Sequence, residues 1–206
     1  MWSARFLEAL PSIQERYPRH RWLFLTLTVR NCEVEELRDT LRWMNESWRR
    51  LSGRKAFKVF EGWLRTTEIT RGKDGSAHPH FHVLLHAPPS YFKGGAYLSQ
   101  QAWTDLWQRA LRVDYQPVVH VQAVKPKKGQ ADVAAPDEAA ALRQAVVETL
   151  KYAVKPEDMA ADPQWFFELT RQTHKLRFVA SGGSLKDVLK GFGEESDEDL
   201  AMADGE

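Results

Sequence analysis

HPHFHVLLH, residues 78–86, is the stretch on which the fold turns. Side chains alternate faces along a β-strand, so His78, His80, His82, Leu84 and His86 share one face while Phe81, Val83 and Leu85 share the other. The second face belongs in a core. The first carries imidazoles side by side on a rigid backbone, and these can be solvated, hydrogen-bonded or paired on a divalent ion, for which neutral imidazole nitrogen is a good ligand. Alone, the stretch leaves those three open.

Upstream, FEGWLRTTEIT (60–70) alternates in the same way, with Leu64, Thr66 and Glu68 on one face and Trp63, Arg65, Thr67 and Ile69 on the other. The turn Arg71-Gly72-Lys73-Asp74-Gly75-Ser76 joins it to the histidine strand, which predicts an antiparallel hairpin. RWLFLTLTVRN (21–31) is another strand, with Leu23, Leu25, Leu27 and Val29 facing the core and Phe24, Thr26 and Thr28 facing away. From Glu33 to Leu51 the apolar residues Val34, Leu37, Leu41, Met44, Trp48 and Leu51 recur in steps of three and four, the spacing of one amphipathic helix that Gly53 ends.

Beyond Pro88-Pro89, Ser99 caps a helix with a stripe of Trp103, Leu106, Trp107 and Ala110, followed by a strand over 116–124 and a basic, then small-residue loop, KPKKGQADVAAP (125–136). Residues 137–154 read as a helix with Leu142, Val146, Leu150 and Ala153 on one side and Glu148, Tyr152 and Lys155 on the other. A helix over 164–176, a short strand over 177–180, a break at Gly182-Gly183 and a last helical turn over 184–189 complete the pattern. An amphipathic helix occupies residues 1–21 and contributes mainly arginines. The order is that of a split βαβ arrangement, an α+β fold with a central antiparallel sheet of about five strands and helices packed on it. We divide the chain into an N-terminal helical segment (1–21), one domain (22–193) and an acidic tail (194–206).

Composition narrows the function. The 206 residues carry 29 Lys and Arg against 28 Asp and Glu. Seven of the acids fall in 194–206, which has no base, so the body holds 29 bases against 21 acids, a charge of +8. Such a body suits a polyanion, and the tail reads as disordered and solubilising. The single cysteine, Cys32, excludes an internal disulfide and fits a reducing, cytoplasmic setting. No signal peptide or membrane span is expected.

If Glu68 joins His80 and His82 on their face, two imidazoles and a carboxylate make a three-ligand site with open positions, suited to Mn²⁺ or Mg²⁺ acting as a Lewis acid. Tyr152 is then a candidate nucleophile toward phosphorus, with Lys151 and Lys155 to balance charge and Glu148 to activate water. The plainer reading of the helix is that Glu148 and Tyr152 lie on a solvated face.

Three segments, FLTLTVRN (24–31), HPHFHVLL (78–85) and ETLKYAVK (148–155), stand in the order of the three motifs of rolling-circle plasmid replication initiators of the HUH endonuclease superfamily. The chain resembles their plasmid class with a single catalytic tyrosine and a nearby glutamate, over about residues 22–190. That resemblance implies His80, His82 and Glu68 as ligands of a divalent metal (Mn²⁺ or Mg²⁺) and Tyr152 as the nucleophile that nicks single-stranded or hairpin origin DNA. The enzyme would stay joined to the 5′ phosphate, Glu148 would assist termination, and Lys155 would match the family's lysine. Thr28 and Asn31 belong to the first motif, with a role left open. Lys125, Lys127, Lys128 and Lys151 are expected to contact DNA phosphates. With no phosphate-binding loop, no nucleotide cofactor is expected, and a host helicase and polymerase would act as partners. A transposase- or relaxase-like enzyme, or a non-catalytic module binding single strands, remain the alternatives. His78 and His86 are expected to be structural or solvated.

Overall fold

The structure is a computed structural model, and it describes residues 2–124, 138–149 and 162–186. Its centre is a five-stranded antiparallel sheet built from β1 (Arg21–Thr28), β2 (Gly62–Arg71), β3 (Ala77–Ala87), β4 (Val119–Ala123) and β5 (Val179–Gly183). The spatial order is β4-β1-β3-β2-β5, which is the split βαβ arrangement with β5 added beside β2. The histidine strand β3 therefore lies in the middle, paired on both sides.

One face of the sheet is covered by helices. A 3₁₀ turn (Val34–Glu36) leads into α2 (Leu37–Ser52), the short α3 (Pro89–Phe92) follows β3, and α4 (Gln100–Leu111) precedes β4. Leu25, Leu27, Phe81, Val83 and Leu85 project from the sheet into a core with Leu37, Met44, Trp48, Trp103 and Trp107, the apolar stripes expected of these helices. The cap on α4 also holds, with Ser99 Oγ accepting from the Ala102 amide. Arg65 crosses this core. Its guanidinium donates to Asn45 Oδ1 at 2.6 Å and lies 4.2 Å from the centre of the Phe81 ring. Burial pushes it down to about 9, which leaves it charged at neutral pH.

The opposite, histidine-bearing face is half covered. Helix α1 (Trp2–Arg16) does more than supply arginines: Phe6, Leu10 and Ile13 form a second core with Trp22, Leu64 and Leu84 of the sheet, Leu142 and Val146 of α5 (Glu138–Thr149), and Leu185. The reason is that Trp22 of β1, Leu64 of β2 and Leu84 of β3 lie on this face near the same end of the sheet, and two amphipathic helices can bury that patch.

One further difference has a local cause. Gly182-Gly183 ends strand β5 where a break was expected. A Cβ on Gly182 would strike the Trp63 ring, and Gly183 has φ +61° with its missing Cβ aimed at the Glu61 carbonyl, so only glycine lets β5 approach β2. The outer edge of β4 is plugged by Gln100, whose side-chain amide donates to the Val119 carbonyl and accepts from the Val121 amide at 3.2 Å. Helix α6 (Pro163–Thr173) packs beside α2 and is N-capped by Asp162, which accepts from the Gln164 and Trp165 amides. The loop over 125–136 and the tail over 194–206 lie outside the described residues.

Candidate metal centre

Register fixes the site. Glu68 pairs with His80 and Thr66 with His82 across the β2–β3 hairpin, while Thr28 and Thr26 pair with the same two histidines from β1. The predicted hairpin thus brings Glu68, His80 and His82 together on one face. Both imidazole Nε2 atoms converge on a single oxygen, Glu68 Oε2, at 2.9 Å from His80 and 2.6 Å from His82. The three side chains are only 11–14% exposed, shielded from bulk water yet open on one side.

The far nitrogens explain why the near ones are so placed. His80 Nδ1 lies 3.2 Å from the His78 carbonyl, an acceptor that can hold the ring's hydrogen on Nδ1 when Nε2 binds a metal. His82 Nδ1 is held 3.2 Å from the Thr26 hydroxyl and its ring is stacked on Phe24, with centroids 5.4 Å apart. Two imidazole nitrogens and a carboxylate oxygen, all within 4.8 Å of one another, form a set of atoms that can hold a metal ion. Hydrogen bonds from His80 and His82 hold the Glu68 carboxyl far below the usual carboxylate range against the opposing effect of partial burial. The donor set fits a divalent cation of the Mn²⁺ or Mg²⁺ kind, which tolerates mixed nitrogen and oxygen ligands and open positions.

Two contacts tie the rest of the chain to this centre. Thr66, beside His82, donates its hydroxyl to the Thr149 carbonyl at the last described position of α5. Arg71, beyond Glu68 on β2, bonds Asp162 at 2.9 Å. Thr149 and Asp162 are thus both bonded to the strand that carries Glu68. Glu148 falls within α5, whereas Lys151, Tyr152 and Lys155, like Lys125, Lys127 and Lys128, lie outside the described residues.

Asn31 also finds a structural place. Its Nδ2 donates to Ser76 Oγ at 2.8 Å, Ser76 Oγ donates to Asp74 Oδ1 at 2.6 Å, and Cys32 and Ala77 exchange backbone hydrogen bonds. The end of the first motif thereby fastens the turn of the hairpin that holds Glu68 and His80. Of the other two histidines of the strand, His78 is half-buried, with its ring 5.3 Å from that of His80. His86 is 1% exposed, stacked on Trp22 at 4.5 Å, with His20 and Tyr17 also against it. Thr26 and Thr66 were not marked by sequence reasoning. Their parity was visible, but their partners sit 56 and 83 positions away.

Among the described residues no helix is long and apolar enough to cross a membrane. A family model described as "Replication protein" matches residues 1–206. A "Protein rep" of Lactiplantibacillus plantarum is 40% identical over 195 residues, covering 90% of this chain and 59% of that protein. One from Lentilactobacillus hilgardii is 35% identical over 195 residues, covering 91% of this chain and 60% of that protein. A "Replication protein" of Staphylococcus aureus is 35% identical over 193 residues, covering 89% of this chain and 78% of that relative. The chain thus spans about 60% of the length of the first two. No solved structure matches it.

Proposed function

The chain belongs to the replication protein family, and on that premise we propose that it initiates plasmid rolling-circle replication by metal-dependent nicking and strand transfer on single-stranded origin DNA. The observation that carries this reading is the convergence of His80 Nε2, His82 Nε2 and Glu68 Oε2 on one point of the sheet face. Those three atoms would hold the divalent ion, which when bound polarises the scissile phosphate as a Lewis acid.

The protein's own groups do the rest. Thr26 and the His78 carbonyl orient the two rings, so no reorganisation is needed at the moment of reaction. Tyr152 attacks phosphorus, forming the phenol–phosphorus bond as the bond to the 3′ oxygen breaks, which leaves a free 3′ hydroxyl for a host polymerase. The anchoring of Thr149 beside His82 supports this assignment, because three residues of chain span roughly 10 Å at most. Lys155 and Lys151 balance charge on the phosphate, and Glu148 takes the proton of the water, or incoming group, that ends the cycle. Lys125, Lys127 and Lys128 contact flanking phosphates, and a host helicase supplies unwinding. The names of the relatives, "Protein rep" and "Replication protein", favour replication over transposition or conjugation.

The test is a fluorescent single-stranded origin oligonucleotide incubated with protein and Mn²⁺, then separated under denaturing conditions. Wild type should give a covalent adduct, Tyr152→Phe none, and Glu148→Ala an adduct that accumulates without release. An adduct that survives in Tyr152→Phe removes the tyrosine from the reaction.

A further inference from the structure

Beside the covered half of the histidine face lies an open half. Trp22, Leu64 and Leu84 are buried under α1 and α5, whereas Phe24, Thr26 and Thr28 of β1 stay partly exposed, and His120 and Gln122 of the edge strand β4 are exposed. Pairing puts these residues in rows with the metal centre. Thr26 pairs with His82 on one side and His120 on the other, and Phe24 pairs with Leu84 and Gln122. His120 therefore stands on the same face as His82, two strands over, roughly 10 Å away along the sheet.

The chemistry of this patch is specific. The Phe24 ring is fixed against the His82 ring, with 29° between their planes, which denies it the freedom of a surface side chain. Gln122 offers an amide donor and acceptor together, and His120 offers a nitrogen of either kind. Neither side chain has a hydrogen-bond or ion-pair partner among the described residues. An aromatic platform on an open antiparallel sheet, flanked by amide and imidazole, matches a flat base with a hydrogen-bonding edge. Phe24 and the metal centre adjoin, so a base attached to the phosphate held there, or to its neighbour, falls on this patch.

We propose that Phe24, His120 and Gln122 form a nucleobase subsite of single-stranded DNA on the β4 side of the metal centre, in which Phe24 stacks the base and the β4 pair reads its edge. The subsite rests on the reading above for its role beside the cut, while its binding needs neither metal nor Tyr152. It gives this face a source of base preference that the basic side chains lack, since phosphate contacts carry no sequence information.

The test uses the full chain in chelator, with fluorescein-labelled dT15, dA15 and dC15 followed by anisotropy. Wild type should bind the three oligonucleotides with different affinities. Phe24→Leu, which keeps an apolar side chain and loses the aromatic face, should weaken all three at least about fivefold. The double variant His120→Ala/Gln122→Ala, changed only at exposed positions, should narrow the differences among the three. Wild-type affinities that are alike, a Phe24→Leu chain that binds as wild type, or a double variant that keeps the wild-type differences would each overturn the subsite. A nicking failure would show as a missing adduct while these affinities stand, so the two readings fail separately.

Discussion

Glu68 offers a single oxygen to two imidazole nitrogens, and each of those rings is held from behind by one partner. The partners set the aim of the rings, so their loss should be felt at the metal. Thr26→Val, which keeps shape and removes the hydroxyl bonded to His82 Nδ1, should lower divalent-metal affinity 10- to 100-fold by calorimetry, with the fold unchanged by circular dichroism. Metal-free protein should show the electrostatics of Glu68 directly. Its folded pKa is depressed, so the stabilisation it gives is present above the unfolded value of about 4.3 and lost as pH falls below it. The stability advantage of wild type over Glu68→Gln in urea melts should accordingly hold at neutral pH and shrink below pH 4.3. Strand parity alone put Glu68, His80 and His82 on common faces of their strands, which is why the triad was legible in the sequence. Thr26 was not, because its bond depends on which strand lies beside β3, and no local pattern states that.

At the scale of elements, the covered end of the histidine face makes its own predictions. His86 is enclosed by Trp22, Tyr17 and His20, and burial, with the His20 imidazole adding to it, pushes it down to about 4. An unfolded histidine titrates near 6.5, so the unfolded chain binds the extra proton between those values and stability falls as pH drops through that window. Wild type should lose about 2 kcal/mol between pH 7 and pH 5 in denaturant titrations from this residue, and His86→Phe should lose less over the same interval. Phe6→Ala, at 0% exposure in the α1 contact, should cost about 3–5 kcal/mol and lower the melting temperature. The amphipathic helices and alternating strands were legible because one period dominates each. Gly182-Gly183 was misread as a break because the same residue type serves turns and close approaches, and only the Trp63 ring and the Glu61 carbonyl reveal which applies.

The whole molecule is a sheet with two different faces. Helices α2 and α4 make one face a core, while α1 and α5 cover half of the other and leave a shielded cluster of nitrogen and oxygen ligand atoms beside an open platform. The sequence made the split βαβ order visible but not the use of its N-terminal helix, since a short amphipathic helix carries no mark of which patch it will bury. What the arrangement claims above all is that Glu68, His80 and His82 bind one divalent ion. Mn²⁺ titration followed by electron paramagnetic resonance measures this directly, because the sharp signal of free aqueous Mn²⁺ disappears on binding. One ion should be taken up per chain by wild type and by Tyr152→Phe, with uptake lost in His80→Ala and His82→Ala. Saturable uptake that persists in both histidine variants, or none in wild type, would contradict the account.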